Sequence, residues 1–219
     1  MPSKIIVTYV TSSPYKVDEN GLLCSNVKFP DGIAVGDVFE FKFRKLPIKE
    51  VLEVDLTALV MAEVTKAYTE IRVPCIVEHA GLVFEEYLAD SYPGGLTKPM
   101  WNALGDRFVS ETQSDGRRVI ARAVVAYCDG MSVHTFVGET RGSISGVARG
   151  TQAFYWDPVF VPDNPDGTPG TMTYSEIVDD PSLGLVYKVS ALSQSTKAMM
   201  KFLEFRRNSP TPPLWSSGV

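Results

Sequence analysis

Residues 75–84, CIVEHAGLVF, hold His79, one of two histidines in the chain, between Glu78 and the small pair Ala80–Gly81. An imidazole next to a carboxylate can take a proton near neutral pH, which is the requirement for a general base. A histidine satisfied by hydrogen bonds at a tight strand end gives the same local pattern. The stretch TSSPYK, residues 11–16, joins hydroxyls, a helix start and the Lys16 ammonium. Together they make an anion site, because unpaired backbone N–H groups point outward at a helix N-terminus. TSSPYK lacks the glycines and the GK[ST] ending of a Walker loop, and an ordinary strand-to-helix turn also carries such residues. In ARGTQAFYWDPVFVPD, residues 148–163, a cation, a glycine, several aromatics and Asp157 fall in one short stretch. Phe154 or Trp156 can stack on a base while Asp157 or the backbone meets its edge. Equally, Phe154, Trp156 and Phe160 read as core residues of one strand face, with Asp157 capping a turn.

The pattern of apolar and turn residues predicts the elements that position these groups. KIIVTYV is an apolar β run feeding the Thr-Ser-Ser-Pro helix start, and Gly21 predicts an early end to that helix. GDVFEFKFRKL, residues 36–46, alternates as a half-buried strand, and ALVMAEVTKAYTEI, residues 58–71, has helical spacing with Leu59, Ala62, Val64 and Ala67 near one face. The short strand VPCIVE follows, then a Pro-Gly turn and a short helix carrying Lys98. Two long strands joined at Asp129–Gly130 form a hairpin whose polar face takes Arg117, Arg118 and Arg122. FVPDNPDGTPGTM reads as a loop, and residues 186–205, which include Lys188 and Gln194, read as a late helix. The whole is expected to be one α/β unit with two lobes over residues 1–207, and a mobile Pro/Ser-rich tail over 208–219 in which Trp215 is free to dock on a partner.

Composition narrows the function classes. With 219 residues, 44% hydrophobic and 21% charged, the chain can bury a full core. A net charge of −5 argues against a surface built for nucleic-acid phosphates. No apolar run approaches membrane-spanning length, and MPSKIIVTYV lacks the layout of a secretory signal, so a cytoplasmic protein is expected. Cys24, Cys75 and Cys128 are an odd number at wide spacing, which favours buried free thiols over a disulfide framework or a zinc site.

Several motifs in series resemble the inosine triphosphate pyrophosphatase family, also called the Ham-type or non-standard purine NTP pyrophosphatases. VTSSPYK is similar to the family's strand followed by T-x-N-x-x-K, VEHAGLVF to V-E-D-[ST]-G-L, and YPGGLTK to P-G-x-x-x-K. ARGTQAFYWDPVFVP is similar to R-G-x-x-G-F-G-[YW]-D-P-x-F, and TYSEI to T-[FY]-A-E-M, so that the resemblance covers residues from about 4 to about 200. It implies an α/β fold with an elongated, twisted mixed β-sheet flanked by helices, and a nucleotide cleft between two lobes. It also implies a homodimer and the magnesium-dependent conversion of ITP, dITP or XTP to monophosphate and pyrophosphate. Carried over by position, Thr11, Ser13, Lys16 and Lys98 meet the phosphates, and Arg149, Phe154, Trp156, Asp157, Lys188 and Gln194 form the base site.

The departures from the pattern concern catalysis. His79 stands where the family has an aspartate that organises magnesium and the attacking water, and imidazole is a poor ligand for a hard cation. Glu78, Glu63 in a shortened acidic segment, and Asp157 are the carboxylates left to serve as oxygen ligands. Ser13 replaces an asparagine, Tyr155 a glycine, and Ser193–Ser195 reads SQS in place of S-H-R, where the Gln194 amide offers both a donor and an acceptor. Three readings follow: a weak or inactive member that binds a purine nucleoside triphosphate and reports it to an effector, a divergent pyrophosphatase with His79 as base, or a structural subunit whose pocket Tyr155 closes. The first is the arrangement of Kongming-type anti-phage systems, where a Ham-type subunit works with a sirtuin-like partner.

Overall fold

The structure, a computed structural model, describes residues 4–48, 51–151 and 154–209. The proposed tail, Trp215 included, lies outside them except for its first two residues. β1 (Ile5–Val10) leads into α1 (Pro14–Asn26), whose start is set by Ser13: its side chain accepts the Lys16 N–H, and Pro14 opens the first turn. The helix does not end at Gly21. A Cβ there would meet nothing within 4 Å, and burial of Leu23 beyond it outweighs the cost of one glycine, about 1 kcal/mol. A single turn, α2 (Val35–Val38), precedes β2 (Phe39–Arg44). α3 (Leu56–Ile71) is capped by Asp55, which accepts the Ala58 N–H at 2.8 Å.

β3 (Cys75–Phe84) is longer than VPCIVE suggests and carries His79 mid-strand rather than at a strand end, because all ten of its residues pair with β5. Next come β4 (Pro93–Gly94), α4 (Thr97–Leu104) and α5 (Phe108–Glu111), followed by β5 (Arg118–Cys128) and β6 (Val133–Ile144). As a hairpin turn, Asp129 accepts the N–H groups of Met131 and Ser132, and Gly130 takes φ 95°. Arg117, Arg118 and Arg122 pair with Glu86, Asp163 and Glu139 on the surface, as a polar hairpin face requires. The head of the expected 160–172 loop is instead β7 (Phe160–Pro162), an edge strand on β6.

After α6 (Tyr174–Asp179), residues 186–205 are not one helix. α7 (Gly184–Tyr187) runs into a wide π turn over Lys188–Leu192, and α8 (Gln194–Asn208) starts afresh after Ser193. Ser193 is extended, at ψ 123°, and its hydroxyl accepts the Thr196 N–H, so a side chain that competes for backbone bonds breaks the helix and caps the next.

The seven-stranded sheet has the order β2-β1-β3-β5-β6-β7, with β4 on β3. β2, β1 and β3 run parallel and the rest antiparallel, the mixed sheet flanked by helices that the resemblance implies. Alternation on β5 decides the layers: Ala123 and Val125 face Phe202 and Leu203 of α8, whereas Val124 and Ala126 face Val60 and Val64 of α3. Beyond them a further cluster gathers Leu82, Phe84, Val119 and Ala121 with Trp156, Phe160 and Tyr174. The cysteines are free, with Cys75 opposite Cys128 across β3 and β5.

Gly138 of β6 sets how closely α8 approaches, since a Cβ there would lie 2.1 Å from the Gln194 carbonyl oxygen and 2.4 Å from the Ala198 nitrogen. Gly138→Ala is expected to cost roughly 1–3 kcal/mol through this overlap, a fall in Tm of roughly 2–12 °C in a thermal melt.

Candidate functional site

A cleft opens where the C-terminal end of β1 and the start of α1 meet the middle of β3, facing α4 and residues 154–156. Its floor is Glu78, a buried carboxylate inside an apolar strand. Tyr9 of β1 donates its hydroxyl to Glu78 Oε2, Ser195 of α8 donates to Oε1 at 2.8 Å, and Lys16 Nζ lies 3.6 Å from Oε2 while bonding the Glu78 backbone carbonyl. Burial opposes the charge, but Lys16, the two hydroxyls and neighbouring His79 hold the Glu78 carboxyl below its usual range. The same arrangement raises Tyr9 well above an ordinary phenol, through burial first and the facing carboxylate second.

Next to it, His79 Nε2 lies 2.6 Å from Glu63 Oε2, which α3 presents. With Nε2 engaged by a carboxylate, Nδ1 is the ring nitrogen left for another partner. Glu63 is buried, and its Oε1 has no hydrogen-bond partner among the described residues.

The β1–α1 loop closes one end of the cleft. Thr11 Oγ1 accepts the Ser13 N–H and Ser13 Oγ accepts the Lys16 N–H, which leaves each hydroxyl hydrogen for an outside acceptor. Lys98 of α4 lines the same cleft, its Nζ 5.7 Å from the centre of the Tyr155 ring.

The opposite wall is aromatic. Phe154 packs against Tyr15 of α1 at 4.6 Å and against Tyr155 at 5.0 Å, while Trp156 is buried against Phe160 and Tyr174. Tyr155 has φ 45°, a left-handed backbone at the position where the resemblance puts a glycine. Behind this wall Lys188 Nζ reaches Asp157 at 2.6 Å and Glu19 at 3.1 Å and sits over the rings of Phe154 and Tyr174. Burial opposes the ammonium charge, but Asp157 and Glu19 outweigh it and keep Lys188 protonated. One cation shared by two acids is not enough for both, and burial pushes the Asp157 carboxyl up to about 6 against the pull of Lys188. The Tyr174 hydroxyl lies 3.1 Å from Gln194 Oε1.

Thr11, Ser13, Lys16, Glu78, His79, Lys98, Phe154 and Trp156 therefore share one cleft. Asp157, Lys188 and Gln194 lie behind the aromatic wall as a buried network. Arg149 is placed apart, donating to the Thr171 carbonyl and lying 3.5 Å from Glu176, so that it ties the 149–151 turn to α6. Tyr9 and Glu19 fall outside the motifs, and Tyr15 and Tyr174 fall within VTSSPYK and TYSEI without a role assigned by them. The signal for Tyr9 and Glu78 was present: each places a polar group inside an apolar β run, where it requires a partner.

The fit to magnesium is poor. No three His, Cys, Asp or Glu side chains converge among the described residues, both Glu78 oxygens face protein donors, and Glu63 offers one oxygen beside a histidine. An octahedral oxygen set is not assembled from these residues.

The fold defines the class first. Over 94% of this chain and 100% of the other, it is similar to the structure of a HAM1 protein from Coxiella burnetii, with a TM-score of 0.64 and 16% identity. The sequence model of the Ham1 family matches residues 7–181, and the chain belongs to that family. Similar curated relatives include the dITP/XTP pyrophosphatase of Methanopyrus kandleri, 31% identical over 62% of this chain and 66% of its own length. Another is the dITP/XTP pyrophosphatase of Hyperthermus butylicus, 33% identical over 51% of this chain and 58% of its own length. The chain thus spans less than two thirds of the length of either.

Two substitutions test the buried networks. Lys188→Met strands Asp157 and Glu19 without a cation and is expected to cost about 3–5 kcal/mol, a Tm loss of roughly 6–20 °C. Tyr9→Phe removes one bond to a charged acceptor, at about 1.5–3 kcal/mol near neutral pH. Because the folded-state pKa of Glu78 is depressed, its contribution is present above the ordinary value of 4.5 and lost as pH falls through the lowered one. The gap between wild-type and Tyr9→Phe melting temperatures is therefore expected to narrow in acid.

Proposed function

We propose that this Ham1-family chain binds an ITP- or dITP-like purine nucleoside triphosphate in the cleft and converts it to monophosphate and pyrophosphate slowly or not at all. The phosphates lie against Thr11, Ser13, Lys16 and Lys98, and the base lies against Phe154 and Trp156, with Asp157, Lys188 and Gln194 behind. The observation that carries the reading is the engagement of both acids at the phosphate end: Glu78 by Tyr9, Ser195 and Lys16, and Glu63 by His79. A carboxylate with a depressed pKa is a weak base, and one already paired gives little to a cation. Cations, hydroxyls and stacking rings survive, so binding outlasts turnover. Occupancy is then available to be reported to an effector, a sirtuin-like protein by the resemblance, with magnesium optional and the setting cytoplasmic.

One observation favours a second reading. A histidine held at 2.6 Å by a carboxylate is the arrangement of an oriented general base. In that case water attacks the α-phosphorus, its proton passes to His79, and the bond to the β-phosphate oxygen breaks to release pyrophosphate.

Thermal-shift measurements with ITP, dITP, XTP, ATP and GTP, with and without magnesium, separate the readings when pyrophosphate is assayed in the same samples. The expected result is stabilisation by ITP or dITP, about 2.7 kcal/mol at a hundredfold excess over Kd, with negligible pyrophosphate. Steady pyrophosphate release that His79→Ala abolishes would establish the second reading. No shift with any nucleotide would leave a structural subunit.

A further inference from the structure

On one side β3 is paired along its whole length, since all ten residues meet β5. On the other side its partners change. β1 lies beside it only as far as the Tyr9–Ile76 pair, and β4 joins it from the Leu82–Gly94 pair onward. Between them the edge has no strand opposite, and there Val77, Glu78, His79 and Ala80 line the cleft. The bonds on this edge show which backbone groups the gap leaves open. The Glu78 carbonyl accepts from the Lys16 ammonium, the Leu82 N–H donates to Thr97 Oγ1 at 2.9 Å, and the Phe84 N–H donates to the Tyr92 carbonyl at 2.9 Å. The N–H and C=O of one residue point the same way and alternate along a strand, so the even-numbered residues of β3 turn both groups away from β5. Ala80 is such a residue. It is half-buried, and neither its N–H nor its C=O has a hydrogen-bond partner among the described residues.

A backbone donor and acceptor side by side in a cleft call for a ligand group that both accepts and donates. A phosphate accepts but carries no hydrogen to give once ionised, and here it would set its charge against the Ala80 carbonyl, two residues from the buried Glu78 carboxylate. An apolar group would strand both partners. A vicinal diol meets both, one oxygen accepting from the N–H while the other hydroxyl donates to the carbonyl. The place of Ala80 agrees with this. Its side chain packs against the cluster that holds Tyr9 and Ile76 and also against the cluster that holds Trp156, so it stands between the Lys16 end of the cleft and the ring wall. In a nucleotide the sugar is the part that lies between phosphate and base.

We propose that the unpaired edge of β3 reads the sugar: the Ala80 N–H and C=O hold the 2′,3′-diol of a ribonucleotide, so that the cleft prefers ribose to deoxyribose. This rests on the nucleotide reading given above and adds the identity of the sugar to it.

The test is titration calorimetry of the wild-type chain, without magnesium, against ITP, dITP and 2′,3′-dideoxy-ITP. Each hydroxyl removed leaves one backbone group of Ala80 unpaired, so Kd is expected to rise about tenfold for dITP and about a hundredfold for the dideoxynucleotide. A second readout places the effect at Ala80: amide hydrogen exchange followed by NMR on the isotope-labelled chain. Saturating ITP is expected to slow exchange of the Ala80 N–H at least about tenfold, and the dideoxynucleotide at equal saturation is expected to leave it as in the free chain. Equal affinities for the three nucleotides, or Ala80 exchange that ITP does not slow, would overturn the sugar assignment and leave the nucleotide reading standing. Binding of none of the three would overturn both.

Discussion

A carboxylate buried in an apolar strand must be paired, and the pairing of Glu78 is the constraint on which the rest of the arrangement depends. Its donors come from β1, from α1 that follows it directly, and from α8 near the other end of the described chain. Packing alone would let α8 slide along the sheet, but Ser195 reaches Glu78 from a single helical position. Gly138 fixes the depth of that position and Ser193 fixes where the helix starts. The floor of the cleft is therefore also the point at which β1, α1 and α8 are held together on one face of the sheet.

A second buried charge does the same for the other side of the cleft. Lys188 is directed inward by the π turn between α7 and α8, where it joins α1 through Glu19 to the 154–160 turn through Asp157. The cleft thus lies between two ionic centres that share α1: Lys16 and Glu19 are one turn apart on that helix and serve one centre each. A shift of α1 cannot be felt at Glu78 without being felt behind the aromatic wall.

Local sequence rules accounted for most of the elements. Alternation found β2, helical spacing found α3, and turn residues found the β5–β6 hairpin. They failed where long-range pairing overrides local signals: β3 continues through Ala80–Gly81 because β5 runs beside it, and α1 continues through Gly21 because Leu23 has a core to enter. For the site, ordered motifs located the cleft residues, since those lie on the loops and strand ends that motifs describe. They assigned nothing to Tyr9 and Glu19, which act through partners at separations no local pattern encodes; Tyr9 and Glu78 lie 69 residues apart.

Tyr155 keeps a left-handed backbone, at a cost on the order of 1 kcal/mol, while its ring meets Phe154 and Lys98. The turn is closed by the Phe154 and Trp156 carbonyls accepting from Asp157, Val159 and Phe160, and it is held from outside by the Asp157, Pro158 and Val159 carbonyls accepting from Ser175, Arg149 and Ser145. Its shape is thus inherited from the surroundings rather than chosen by the residue that occupies it. Tyr155 and Asp157 share this turn, so the ring that lines the cleft and the carboxylate behind the wall are carried by one short piece of backbone and cannot be placed independently.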